Sequence, residues 1–263
     1  MTHPPAARAL LASALSVTAL LATAGCAVDD EPRPRWFSAS ASASASGASP
    51  AVEQPAGSGA ALTEAQAQAA LVTEADLGEP WEPTRGARTW RDGLLKATTE
   101  DGDCRRLLDA LYTEEPFGAP KGPQATSALD DGDTDAQLRY RVAAHPPADV
   151  DRTLDWMKSL PGRCGQFTAM TTRGVVQGVE VSDLPLPPVG DARQALRVTL
   201  AGETEEGELT YLTMDLAAVR VGEEAITLTN AGLDEVYAEV TQLAVQLGAQ
   251  RLAEIRKQAK AQI

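Results

Sequence analysis

A single histidine outside the first 25 residues, His145, and three serines after residue 61, Ser127, Ser159 and Ser182, are scant material for a nucleophile and its base. His145 stands before Pro146-Pro147, the setting of a loop residue, and no serine sits in Gly-x-Ser-x-Gly. A Ser-His triad or a multi-histidine zinc site is hard to assemble from such a set. Phosphate-cradling and dinucleotide-binding glycine patterns are absent as well. Asp131-Gly-Asp133-Thr-Asp135 has the acidic spacing of a calcium loop, but that loop needs a Gly after its third acid and a bidentate Glu at its last position. Those places hold Ala136 and Val142, so a solvated hairpin turn is expected. Glu203, Glu205, Glu206 and Glu208 read as a second charged turn. Paired carboxylates can hydrolyse glycosides, yet with 33 acids after residue 61 some pair always lies close. Trp81 and Trp90 flank the loop 82–89 and are the weak candidates for rimming a ligand pocket, a role with which ordinary packing competes. Trp156 falls among helical apolar positions and reads as core. The residues point to no metal or cofactor.

The amino terminus speaks about place. One positive charge, Arg8, precedes an apolar run over 9–24, and the chain turns polar at Asp29-Asp30-Glu31. That is the pattern of an export signal, and the run is short of the about 20 apolar residues that span a bilayer. A cysteine follows at once, in Thr23-Ala-Gly-Cys26. One reading is an ordinary secretory signal that happens to contain a cysteine. The other is a lipid anchor, because the segment resembles a bacterial lipoprotein cleavage site, with Thr23 where that family usually has Leu. The resemblance implies cleavage before Cys26, removal of 1–25, and acyl chains such as palmitate on the Cys26 sulfur and amine. Since each buried methylene contributes about 0.8 kcal/mol and one chain binds only reversibly, two or three chains hold a protein on the outer face of the cell membrane.

Residues 26–61 are rich in Ser, Ala, Pro and Gly, with an alternating Ser-Ala run over 38–46, and have too little apolar surface to offset ordering entropy. As a flexible coil this tether spans roughly 30–35 Å. Trp36-Phe37 is its one apolar pair. The remaining residues, 62–263, suffice for a single core and carry 20 basic against 33 acidic side chains, a net charge of −13. That sign repels phosphate and excludes nucleic acid as a partner. With Cys26 assigned to lipid, Cys104 and Cys164 remain as an even pair in an exported domain, and oxidising compartments favour their bridging.

Periodicity supplies the elements. Helices are expected over 63–72, over 103–112 with Asp103 as cap, over 147–160 ended by Pro161-Gly162, and from about 233 to 257, where Leu233, Val236, Val240, Leu243, Ala244 and Leu247 form a stripe. A weak strand is expected within 87–98, a hairpin from 124–129 and 137–144, and further strands over 166–172, 175–183, 194–200, 208–219 and 221–229. Short turns between successive strands argue for an α+β domain: an antiparallel sheet of about six or seven strands with helices mainly on one face.

The opening Leu62-Thr-Glu…Ala-Leu-Val-Thr-Glu-Ala-Asp-Leu-Gly…Trp81 then resembles the start of the PknH-like extracellular sensor domain of actinobacterial receptor kinases and lipoproteins. Later features follow in the same order: Cys104 on an early helix, a helix leading to Cys164, Leu184-Pro…Val189-Gly-Asp191, Ala195-Leu-Arg-Val198 and a closing amphipathic helix. The resemblance spans most of 62–250. It implies a non-catalytic domain that binds an unidentified envelope ligand in a cleft. Kinase-linked members carry two bridges where this chain has cysteines for one. A scaffold protein without a small ligand and a hydrolase of unrecognised type are the competing classes; the first predicts no deep pocket, the second a cleft with convergent carboxylates of raised pKa.

Overall fold

The computed structural model describes residues 62–203, 207–233 and 236–261. Cys26, the stretch 26–61 and Glu205-Glu206 of the acidic turn lie outside them. The chain begins with two short helices, α1 (Glu64–Ala69) and α2 (Glu74–Leu77). A capping box closes α1: Thr63 Oγ1 accepts from the Gln66 backbone N–H and Gln66 Oε1 accepts from that of Thr63. An edge strand follows, β1 (Trp81–Pro83), which the sequence pattern does not announce.

The expected strand within 87–98 is for the most part a π-helical turn, Arg91–Leu95, leading into a two-residue strand, β2 (Ala97–Thr98). The turn is pinned from outside itself, by the Arg91 guanidinium donating to Glu114 at 2.6 Å and to the Tyr112 carbonyl at 3.1 Å. Helix α3 (Gly102–Thr113) is capped by Asp101 rather than Asp103; its carboxylate accepts from the Asp103 and Cys104 backbone N–H groups at 2.9 and 3.0 Å.

A hairpin of β3 (Gln124–Asp131) and β4 (Gln137–Ala144) precedes α4 (Pro147–Arg163). The expected stop at Pro161 falls too early. Pro161 removes one hydrogen bond, but the Cys164 N–H still reaches the Leu160 carbonyl at 2.7 Å and the helix closes one residue earlier, at Arg163. Five strands follow: β5 (Gln166–Thr171), β6 (Val176–Asp183), β7 (Ala192–Glu203), β8 (Leu209–Val221) and β9 (Glu224–Leu233). Helix α5 (Ala238–Ala261) ends the described chain.

All nine strands join one antiparallel sheet in the order β1-β3-β4-β9-β8-β7-β6-β5-β2. The α+β class is as expected. The strand count is higher because β1 and β2 are too short to show a period. Helices cover both faces rather than mainly one. Alternation along β8 explains this: Leu212, Met214, Leu216 and Ala218 belong to the core beneath α3 and α4, whereas Ala217, Val219 and Val221 belong to the core beneath α1 and α5. Strand β9 is buried along nearly its whole length. Central strands apolar on both sides need cover on both sides.

The apolar stripe of the last helix is also placed differently. Leu233 ends β9, and Leu243 is 43% exposed. The buried face consists of Thr241, Ala244, Val245, Gly248, Ala249 and Leu252. Small residues there let α5 lie close to the sheet. Thr241 donates to Asp215 Oδ2 at 2.8 Å, while Arg197 grips the same carboxylate at 2.7 and 3.0 Å and the Val236 carbonyl at 2.9 Å. Asp215 is fully buried, so this paired geometry is what makes its charge tolerable.

Candidate functional site

Cys104 and Cys164 are joined in a disulfide, 60 residues apart in sequence, tying α3 to the end of α4. Both half-cystines are buried in the core that these helices share with the sheet. Among the described residues, Asp101, Cys104 and Cys164 are the one trio of potential ligands close enough together for a metal. The bridge consumes both thiols and helix capping consumes the carboxylate, so the trio is structural. The Asp131 turn is likewise self-contained: Asp131 Oδ1 accepts from the backbone of Asp133 and Thr134.

The two candidate tryptophans part company. Trp81, 9% exposed, belongs to the core beneath α1, with Leu62, Leu71 and Leu129. Trp90, 7% exposed, belongs to the opposite core. The loop between them is held by Gln137, whose amide donates to Thr84 Oγ1 and the Gly86 carbonyl, both at 3.0 Å, and to Asp130 Oδ1 at 2.7 Å. They rim no common pocket. Trp156 is core as expected, with the Arg106 guanidinium 3.8 Å above its ring.

Trp90 does line a cavity of about 330 Å³. One wall is the π-helical turn, through Gly93 and Leu94. Opposite it are Thr171, Arg173 and Val175 at the β5–β6 turn, with Thr210 of β8 and Leu233 of β9 closing the rest. Single-turn π segments often occur at functional sites. This one sets Trp90 and Leu94 on the cavity while Leu95 points into the core. The Gln177 amide donates to the Leu94 carbonyl at 2.9 Å and holds the turn against β6. The indole N–H of Trp90 is buried without a hydrogen-bond partner among the described residues. Thr89, Thr171, Thr210, Arg173 and Glu203 supply the polar groups of the lining.

Chemically, this arrangement can desolvate an apolar group against Trp90, Leu94, Val175 and Leu233 and offer hydroxyls and charges to a polar end. Among the described residues no imidazole or thiol stands in its lining, and the Thr171 hydroxyl already accepts from the Val175 backbone N–H at 3.1 Å.

Neither a family model nor a curated protein matches the chain. Several solved structures show a likeness, two of which are described. One is the extracellular domain of PknH from Mycobacterium tuberculosis, with a TM-score of 0.45 and 17% identity, covering 76% of this chain and 99% of that one. The other is an uncharacterized protein from Rhizobium leguminosarum, with a TM-score of 0.25 and 11% identity, covering 51% of this chain and 98% of that one. Among the described residues no helix is long and apolar enough to cross a membrane.

Of the cavity's lining, the sequence marks only Trp90 as a pocket residue; it places Glu203 in an acidic turn and Leu233 in the last helix. Asp92-Gly93 is the available signal, a turn dipeptide between Trp90 and Leu94 inside the stretch expected to hold a strand. Thr171, Arg173, Val175 and Thr210 come from hairpins whose mutual position is set by sheet order, and no local signal marks them.

Proposed function

We propose that this protein is a lipid-anchored binding protein of the cell envelope. In this reading Cys26 carries the acyl chains, 26–61 is the connecting tether, and the domain over 62–263 takes the apolar part of an envelope ligand into the Trp90 cavity without transforming it. The observation that carries the binding role is a largely apolar cavity walled by a tryptophan and a π-helical turn, with a few polar groups in its lining. The sensor-like character comes from the sequence resemblance at 62–81, and the anchor from the residues around Cys26.

Two measurements test the halves separately. For the anchor, Cys26→Ser is expected to move the protein from the membrane pellet to the soluble fraction; retention in the pellet would sink the lipid assignment. For the cavity, Gly93→Leu is the informative change. Gly93 has an ordinary backbone, and a side chain added there meets open space, so the variant fills the cavity rather than breaking the fold. The wild-type protein is expected to bind one equivalent of the apolar fluorophore N-phenyl-1-naphthylamine, and Gly93→Leu to weaken that binding at least about tenfold, the scale of 1.4 kcal/mol. Equal binding by both proteins would place the ligand elsewhere.

A further inference from the structure

A second crevice, of about 490 Å³, shares no residue with the Trp90 cavity. Its walls come from α3 (Arg106, Asp109), the loop after it (Glu115, Phe117, Lys121), the residue following β4 (His145) and the first turns of α4 (Asp149, Arg152). His145 is its most deliberate feature. The residue is only 8% exposed. Its backbone N–H donates to the Glu223 carbonyl at 3.1 Å, and Phe117 packs against the ring at 5.4 Å between centroids. Yet no hydrogen bond is made to the ring by any described residue, and neither ring nitrogen is a closed-off buried atom. The ring's polar edge therefore meets the crevice. Burial, followed by the charge of Arg141, holds the imidazole below its usual pKa, opposed by Asp149 and Glu115 and assisted by Lys121. At neutral pH it offers one donor and one acceptor.

The charges lining the crevice are balanced, three cations (Arg106, Lys121, Arg152) against three acids (Asp109, Glu115, Asp149). Two of the acids are satisfied: Arg152 pairs with Asp149 at 3.0 Å and Arg141 with Glu115 at 2.7 Å. Arg106 lies over the Trp156 ring. Arg106, Lys121 and Asp109 make no ion pair among the described residues, and since Arg106 is engaged with the indole, Lys121 and Asp109 are left. A balanced wall with one spare cation and one spare acid favours neither a polyanion nor a simple cation. It complements a ligand bearing one charge of each sign.

We propose that this crevice binds a small zwitterion, a free amino acid or short peptide, whose carboxylate is taken by Lys121 and His145 and whose ammonium is taken by Asp109. The phenyl ring of Phe117 gives the ligand's aliphatic part an apolar surface. This site is independent of the Trp90 cavity, and either can fail without the other.

The test uses the mature protein, residues 26–263, in detergent. His145 is then its one histidine, so its ring gives an isolated resonance by NMR, assigned by its loss in His145→Gln, and the indole N–H of Trp81, in the other core, serves as an internal control. The probes are alanyl-alanine, its N-acetylated and C-amidated forms, and sodium acetate. Alanyl-alanine is expected to shift the His145 resonance saturably and leave that of Trp81 in place. Each capped form and each of the variants Lys121→Gln and Asp109→Asn should weaken that response by about tenfold, one lost charge-assisted contact. In Asp109→Asn the N-acetylated and free peptides should bind alike. Three outcomes overturn the proposal: no saturable shift up to about 100 mM peptide, well beyond the ~1 mM dissociation constant of a weak specific site; an equal response to acetate, which means an adventitious ion only; or a response untouched by Lys121→Gln.

Discussion

Loss of the Cys104–Cys164 bridge is expected to lower the melting temperature of the domain by on the order of 10 °C. In the chain-entropy account a loop of the 60 residues closed here contributes about 4 kcal/mol through the unfolded state. For a domain of this size each kcal/mol moves the transition by roughly 2–4 °C. The folded state adds to this, because the bridge joins two helices that lie on the same core, and both sulfurs are shielded from water. Reductant alone should therefore act slowly on the native protein and quickly once denaturant opens it. The double variant Cys104→Ala/Cys164→Ala, followed by circular dichroism on heating, measures the effect without that kinetic barrier. A shift under about 3 °C, the equivalent of 1 kcal/mol, would mean that the unfolded chain is already compact enough to make the crosslink redundant.

The second large effect is expected at Gly248. In an exposed helix Gly→Ala stabilises by about 1 kcal/mol. Here the sign should reverse, to a loss of about 3 kcal/mol, because a Cβ at this position overlaps the Tyr140 hydroxyl and ring carbons. Tyr140 is fully buried in the centre of β4 and cannot swing away. The clash must move α5, which Thr241, Asp215 and Arg197 hold in place. Tyr140 sharpens the test. Its hydroxyl is buried without a hydrogen-bond partner among the described residues, and burial pushes its pKa up. Tyr140→Phe should thus be neutral or stabilising by about 1 kcal/mol, since an unsatisfied polar group is removed. Tyr140→Leu should abolish most of the Gly248→Ala penalty, giving a coupling above about 1 kcal/mol in a double-mutant cycle by chemical denaturation. Strict additivity would mean that helix and strand do not meet as described.

What the sequence determines by itself are the features that depend on near neighbours in the chain. The helical period brings Val150, Leu154, Met157 and Leu160 to one face of α4, and all four are buried. Strand β4 falls at 137–144 as its alternation requires, with Leu138, Tyr140 and Val142 inward. The even pair left once Cys26 is set aside is Cys104 with Cys164, and these two are bridged. Short-range rules failed where a distant group decided the conformation. The stretch 91–95 becomes a π-helical turn because Glu114 and Gln177 hold it, 23 and 83 residues away. The last helix turns its small residues inward, and not its Leu243, because Tyr140 fills the space a large side chain would need. The same division runs through the two cavities. Trp90 and His145 are conspicuous in the sequence by type alone, but the residues that surround them are gathered from hairpins and helices far apart in the chain. Sheet order and the choice of face bring those residues together. Both are set by burial of the whole core, a sum over many contacts that no local window contains.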